Sequence, residues 1–114
     1  MNISQERIAE EFIKIVHEYY PRAGKVLDFC YVKVIESYIR RLNKNLYHVG
    51  IYYPERMGVA VERQKDAFRD IAENMGLMDV VCINATRLIR DPMSKIKRED
   101  PRLWLELYWI AAHH

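Results

Sequence analysis

Hydrophobic positions in this 114-residue chain recur mostly at three- and four-residue intervals, the period of a helix with one buried face. In the first segment Ile8, Phe12, Ile15, Val16 and Tyr19 share a face, with Glu11, Lys14 and Glu18 opposite. Ser4 stands where an N-cap is wanted, and Glu6 falls in the first turn, where the helix dipole favours an acid. Pro21 ends the segment, and Pro21-Arg22-Ala23-Gly24 reads as a tight helix–helix connection. Leu27, Cys30, Tyr31, Val34, Ile35, Tyr38, Ile39 and Leu42 then follow the helical pattern without a gap. Their β-branched content also suits a strand. A strand leaves the polar stripe of Lys33, Glu36, Ser37, Arg40, Arg41 and Lys44 unexplained, so a helix is expected.

Asn43-Lys44-Asn45 closes that helix, and residues 46–53, rich in tyrosine and β-branched side chains around Gly50, are a short strand or an ordered loop. Pro54 sits where a helix favours its first residue. From there Met57, Val61, Phe68, Ile71, Ala72 and Met75 form an amphipathic stripe. Gly76 is placed to stop it in the left-handed conformation, with Leu77 packing back. Asp79 reads as the N-cap of a helix carrying Val81, Cys82, Ala85, Leu88 and Ile89. Asp91-Pro92 and Asp100-Pro101 each set an N-cap before a proline, the second opening a C-terminal helix. The expected fold is all-α, a bundle of about five helices in one domain over 1–114.

Composition narrows the class without naming a function. Half the residues are hydrophobic and 30% charged, which is globular rather than disordered. A net charge of +2 does not by itself call for an anionic partner. Cys30 and Cys82 are two distant thiols in apolar stretches, expected to be buried and reduced. With no secretory signal and no apolar run near membrane-spanning length, a cytoplasmic location is expected. The terminal His113 and His114 are native or the remnant of a tag.

The segment from Ile71 to Leu77, followed by the expected helix from Asp79 to Arg90, resembles the helix-turn-helix of DNA-binding proteins. Ala72 takes the small position, Gly76 the turn, Leu77 the hydrophobic position after it, and Cys82 and Ala85 the buried positions of the second helix. The resemblance covers the pair at 66–90 and implies docking of the second helix in a major groove. Its exposed face carries Val80, Ile83, Asn84 and Arg87, of which Asn84 and Arg87 suit base edges. Charge adds to this, since six basic residues stand against three acidic ones between Arg87 and Arg102. Arg90, Lys95, Lys97 and Arg98 are the expected phosphate contacts.

The last segment is apolar nearly all round, so it is either the centre of the bundle or a self-association surface. The second reading makes Leu103, Trp104, Leu107, Tyr108 and Trp109 a homodimer interface. Catalytic chemistry finds little support: no histidine follows a glutamate at metal-site spacing, no cysteines have zinc spacing and no glycine-rich loop occurs. Glu62, Asp66 and Asp70 stack at four-residue intervals, read as a solvated mixed-charge face rather than a cation site. Tyr47, His48, Tyr52 and Tyr53 read as core-capping aromatics. The expectation is a non-enzymatic DNA-binding regulatory or accessory protein, dimeric and engaging double-stranded DNA, with no cofactor and no metal. The alternative is an adaptor or structural subunit with no nucleic-acid role, in which Val80, Ile83, Trp104 and Trp109 form the contact surface.

Overall fold

The computed structural model describes residues 4–112 and overturns the all-α expectation, because a three-stranded mixed sheet runs through the middle of the chain. In chain order the elements are α1 (Gln5–Tyr19), α2 (Pro21–Leu27), β1 (Tyr31–Ile39), β2 (Lys44–Tyr53), α3 (Gly58–Arg63), α4 (Lys65–Asn74), β3 (Val80–Asn84), α5 (Ala85–Arg90), α6 (Ile96–Glu99) and α7 (Pro101–Ala112). The sheet order is β1-β2-β3, with β1 antiparallel to β2 and β3 parallel to it. A parallel neighbour needs a crossover connection, which α3 and α4 supply.

The largest correction concerns the expected helix over Leu27 to Leu42, most of which is strand β1. Nine residue pairs join it to β2, from Tyr31↔Tyr52 to Ile39↔Lys44. Alternation explains the pattern as well as helical spacing does. Val32 and Val34 point to one face while Tyr31, Lys33 and Ile35 point to the other, and the apolar content of both faces reflects helices on both sides of the sheet. The two strands meet through a 3₁₀ turn at Arg40–Leu42 and Asn43, which adopts the left-handed conformation at φ 49°. Asparagine tolerates that conformation, and Tyr38 Oη donates to its Oδ1 at 2.6 Å. Arg40 and Arg41 therefore belong to a hairpin tip and not to a helix end. Residues 46–53 are strand, as one of the two expectations held, within the longer β2.

Two unequal cores pack on the two faces. On one, Val32, Val34, Val49, Ile51 and Val80 meet Phe12 and Val16 of α1 and Phe68, Ile71 and Ala72 of α4, with Leu27 and Val61 closing the sides. Phe12 and Phe68 are fully buried, each contributing roughly 1.5–3 kcal/mol by removal from water. On the other face Tyr52 packs with Ala85, Leu103 and Leu107, flanked by Tyr31, Ile83 and Ile110. The rings of Tyr31 and Tyr52, opposite in register, sit 6.3 Å apart.

Local signals at helix ends fare better. Ser4 Oγ accepts from Arg7 N at 3.2 Å, and Asp100 Oδ1 accepts from Leu103 N at 3.2 Å with Pro101 first in α7. Gly76 has φ 77°, Leu77 N donates to Ala72 O at 2.9 Å and Gly76 N to Glu73 O at 3.0 Å, a Schellman closure of α4. The stripe from Pro54 is broken into a 3₁₀ turn, α3 and α4, with Gln64 between the two helices. Pro21-Arg22-Ala23-Gly24, expected as a connection, forms α2, with proline in its first turn. Gly24 is required there because α1 and α2 approach closely: a Cβ at Gly24 would lie 2.5 Å from His17 Nδ1 and 2.9 Å from His17 Cα. Asp91-Pro92 opens a turn rather than a helix, with Asp91 Oδ1 accepting from Met93 N at 2.9 Å.

Candidate functional site

The expected reading helix from Asp79 to Arg90 does not form. Its first part is β3, paired with β2 at the sheet edge, and its second is α5, only six residues long. The helix-turn-helix resemblance ends at the glycine turn for this reason. A parallel partner strand was already in place, and Val80, Val81, Cys82 and Ile83 suit a pleated surface better than a helix.

The two expected base readers are both engaged within the chain. Asn84 caps α5, its Oδ1 accepting from Arg87 N at 3.0 Å. Arg87 reaches Glu55, with Nε 3.2 Å from Oε1, while Glu55 N donates to Thr86 Oγ1 at 3.0 Å. Two other charges of the basic segment are also matched. Arg102 Nη1 lies 3.7 Å from Glu6, and Lys33 Nζ lies 3.2 Å from Asp100. The Leu103 amide and then the Lys33 ammonium stabilise the Asp100 carboxylate and hold its pKa below the usual value.

Among the described residues, no ion pair joins Arg90, Lys95, Lys97 or Arg98 to a carboxylate. Trp104 and Tyr108, one turn apart on α7, are stacked with centroids 5.3 Å apart and planes 19° apart. Lys97 Nζ stands 4.8 Å from the centre of the Trp104 ring, within cation–π range. Arg90 reaches the same pair from α5 and lines a groove of about 240 Å³ with Ile89, Trp104, Tyr108 and Ala111. The fold thus brings two residues expected on phosphates and two expected in a dimer interface into one basic, aromatic surface.

The other expected interface residues divide by face. Leu103 and Leu107 are buried in the chain's own smaller core. Trp109 is 60% exposed, and beside it Leu105, absent from the expected interface, is also 60% exposed. The spacing of Leu105, Tyr108 and Trp109 marks one outward face, a signal hidden by treating the segment as apolar all round.

The remaining candidates are dispersed. Glu62 lies on α3 near Lys65, whereas Asp66 and Asp70 lie on α4, so the carboxylate ladder spans a helix break. Strand alternation sends Tyr47 and Tyr53 to one face of β2 and His48 and Tyr52 to the other. Burial pushes the Cys30 thiol up to about 12 and raises Cys82 as well, which holds both further toward the thiol form than a free cysteine. Among the described residues, no group of three His, Cys, Asp or Glu side chains is placed to hold a metal, and no helix is long and apolar enough to cross a membrane. His113 and His114 lie outside the described residues. No family model, curated protein or solved structure matches this chain.

Proposed function

We propose that this chain is a non-catalytic nucleic-acid-binding protein that holds a single strand on the α5–α7 surface. The observation that carries the reading is the stacked Trp104–Tyr108 pair with Lys97 over one ring and Arg90 in the adjoining groove; among the described residues no ion pair joins either cation, or Lys95 and Arg98 at α6, to a carboxylate. Cations matched to internal carboxylates lose much of their pull on phosphate, whereas these four keep theirs. The outer face of a stacked aromatic pair is a platform for an unpaired base, and such stacking tolerates any sequence. Docking of a major-groove helix is not part of this reading, because residues 80–84 are strand.

The test is fluorescence anisotropy of a labelled oligothymidylate titrated at 50 and 200 mM salt. Four phosphates neutralised on a single strand give a log–log slope of about −3, or a weakening of roughly 50-fold across that range. Arg90→Ala with Lys97→Ala lowers the slope by about 1.4, and Tyr108→Ala costs about 1–3 kcal/mol at either salt. Absence of binding at 50 mM salt refutes the proposal. Equal affinity for a blunt duplex, unchanged by Tyr108→Ala, refutes the stacking part of it.

A second reading, self-association through α7, is favoured by the outward exposure of Leu105, Tyr108 and Trp109. Light scattering across a concentration series tests it. A monomer at every concentration, unaltered by Leu105→Asp, removes this reading.

A further inference from the structure

On the opposite side of the sheet from α7, residues at the C-terminal ends of α1 and α4 line a groove of about 600 Å³. That is within the range of clefts that enclose small organic ligands. Its apolar lining comes from Ile15, Ile71 and Met75, and its rim from Tyr19 and Tyr20. Among the described residues that line it, the charged ones are two carboxylates, Glu18 and Asp70, in a chain whose net charge is positive.

Glu36 is bound by a neutral hydroxyl, Tyr47 Oη at 2.9 Å, and Glu6, Asp28, Glu55, Asp79 and Asp100 each lie against a basic side chain. Asp70, like Glu36, is held by neutral donors. Tyr20 Oη donates to its Oδ2 at 2.6 Å, and Asn74 Nδ2 donates to its backbone oxygen at 2.8 Å and to Oδ1 at 3.4 Å. Neutral donors fix the carboxylate in direction without cancelling its charge. Among the described residues no ion pair reaches Glu18. The Tyr19 ring, 71% exposed, offers a π face at the same rim.

We propose that this groove binds a small organic cation, an alkyl- or arylalkylammonium ion. Its apolar body lies on Ile15, Ile71 and Met75, and its ammonium group sits between Glu18 and Asp70 against Tyr19. An anion is repelled by both carboxylates, and a neutral ligand of the same shape gains only the apolar contact. The site is independent of the nucleic-acid surface, with which it shares no residue.

The test is a titration of the full chain, followed by amide chemical shifts, with 2-phenylethylammonium chloride, the neutral 2-phenylethanol and the anionic phenylacetate. The ammonium ion is expected to bind at least tenfold more tightly than the alcohol, with shifts centred on Tyr19, Tyr20, Ile71, Asn74 and Met75. Phenylacetate is expected not to bind. Glu18→Gln, a change at an exposed residue, reduces the tenfold preference, and Glu18→Gln with Asp70→Asn abolishes it while affinity for the alcohol persists. Equal binding of ammonium and alcohol, shifts centred elsewhere, or no saturable shift with any of the three overturns the proposal.

Discussion

Replacing Gly24 by alanine tests the packing of α1 on α2, because the structure reverses the sign normally expected. In a helix interior, glycine to alanine stabilises by about 0.5–1 kcal/mol, through reduced freedom of the unfolded chain and better helix propensity. At Gly24 the added methyl would meet His17 Nδ1 at 2.5 Å, Cγ at 2.7 Å and Cα at 2.9 Å. The imidazole can swing aside only by giving up Asp28, whose Oδ1 lies 3.0 Å from Nε2, and the Cα cannot swing at all. Overpacking of this kind costs about 1–3 kcal/mol. Setting that against the propensity gain leaves Gly24→Ala destabilised by up to about 2.5 kcal/mol. Gly58→Ala is the control: its methyl comes no closer than 3.4 Å, to Tyr53 Cε2, so the variant gains a few tenths of a kcal/mol to about 1 kcal/mol. Urea unfolding followed by circular dichroism, at a slope of about 1–3 kcal/mol/M, separates the two by a midpoint difference on the order of 1 M. A Gly24→Ala midpoint at or above wild type refutes the close approach of the two helices.

Two further outcomes follow from burial. Leu107→Ala removes the fully buried centre of the smaller core and is expected to cost about 2–5 kcal/mol in the same assay, whereas Leu105→Ala, on the outward face of α7, stays within about 0.5 kcal/mol of wild type. Cys30, with its thiol at about 12 against an ordinary 9, has a folded value above its unfolded one, so the stabilisation of its thiol form is complete below pH 9 and is lost as pH rises towards 12. At pH 8 the native protein is accordingly expected to react with a thiol-specific disulfide reagent at least tenfold more slowly than the urea-unfolded chain, and equal rates would contradict the burial.

Some features closed within a few residues are legible from the amino-acid order alone, although Asp79 precedes a strand and Asp91 a turn where each was expected to cap a helix. The Ser4 and Asp100 caps and the Gly76 closure involve partners no more than five positions away, and these positions were identified correctly. The stretch from Tyr31 to Ile39 was misread because its apolar positions satisfy both a period of 3.6 and alternation. What decides between them is β2, whose pairing with Tyr31 begins 21 positions further on. One signal did exist: a strand at 46–53 in an otherwise helical protein would leave its backbone N–H and C=O groups without partners, so it demanded neighbours that the helical reading did not supply. The same omission carried into the site. Once β2 is present, Val80 to Asn84 becomes its parallel neighbour and the reading helix disappears. The cationic residues were legible as charges. Which of them retain their charge for a ligand was not, since that depends on Glu55 and Glu6, placed opposite Arg87 and Arg102 by elements far away in the chain.

The imbalance between the two hydrophobic cores gives the molecule a gradient of local stability. The layer of α1 and α4 is anchored by a broad set of buried side chains, while α7 is held on the sheet chiefly by Leu103 and Leu107 against Tyr52 and Ala85. Opening of the α7 layer therefore needs less free energy than global unfolding, and its amide protons exchange with solvent sooner than those of β2. That same layer carries Arg90, Trp104 and Tyr108. A ligand seated there and at one hundred times its dissociation constant adds about 2.7 kcal/mol to the closed state, so occupancy is legible as slowed exchange along α7 while β2 is left unchanged.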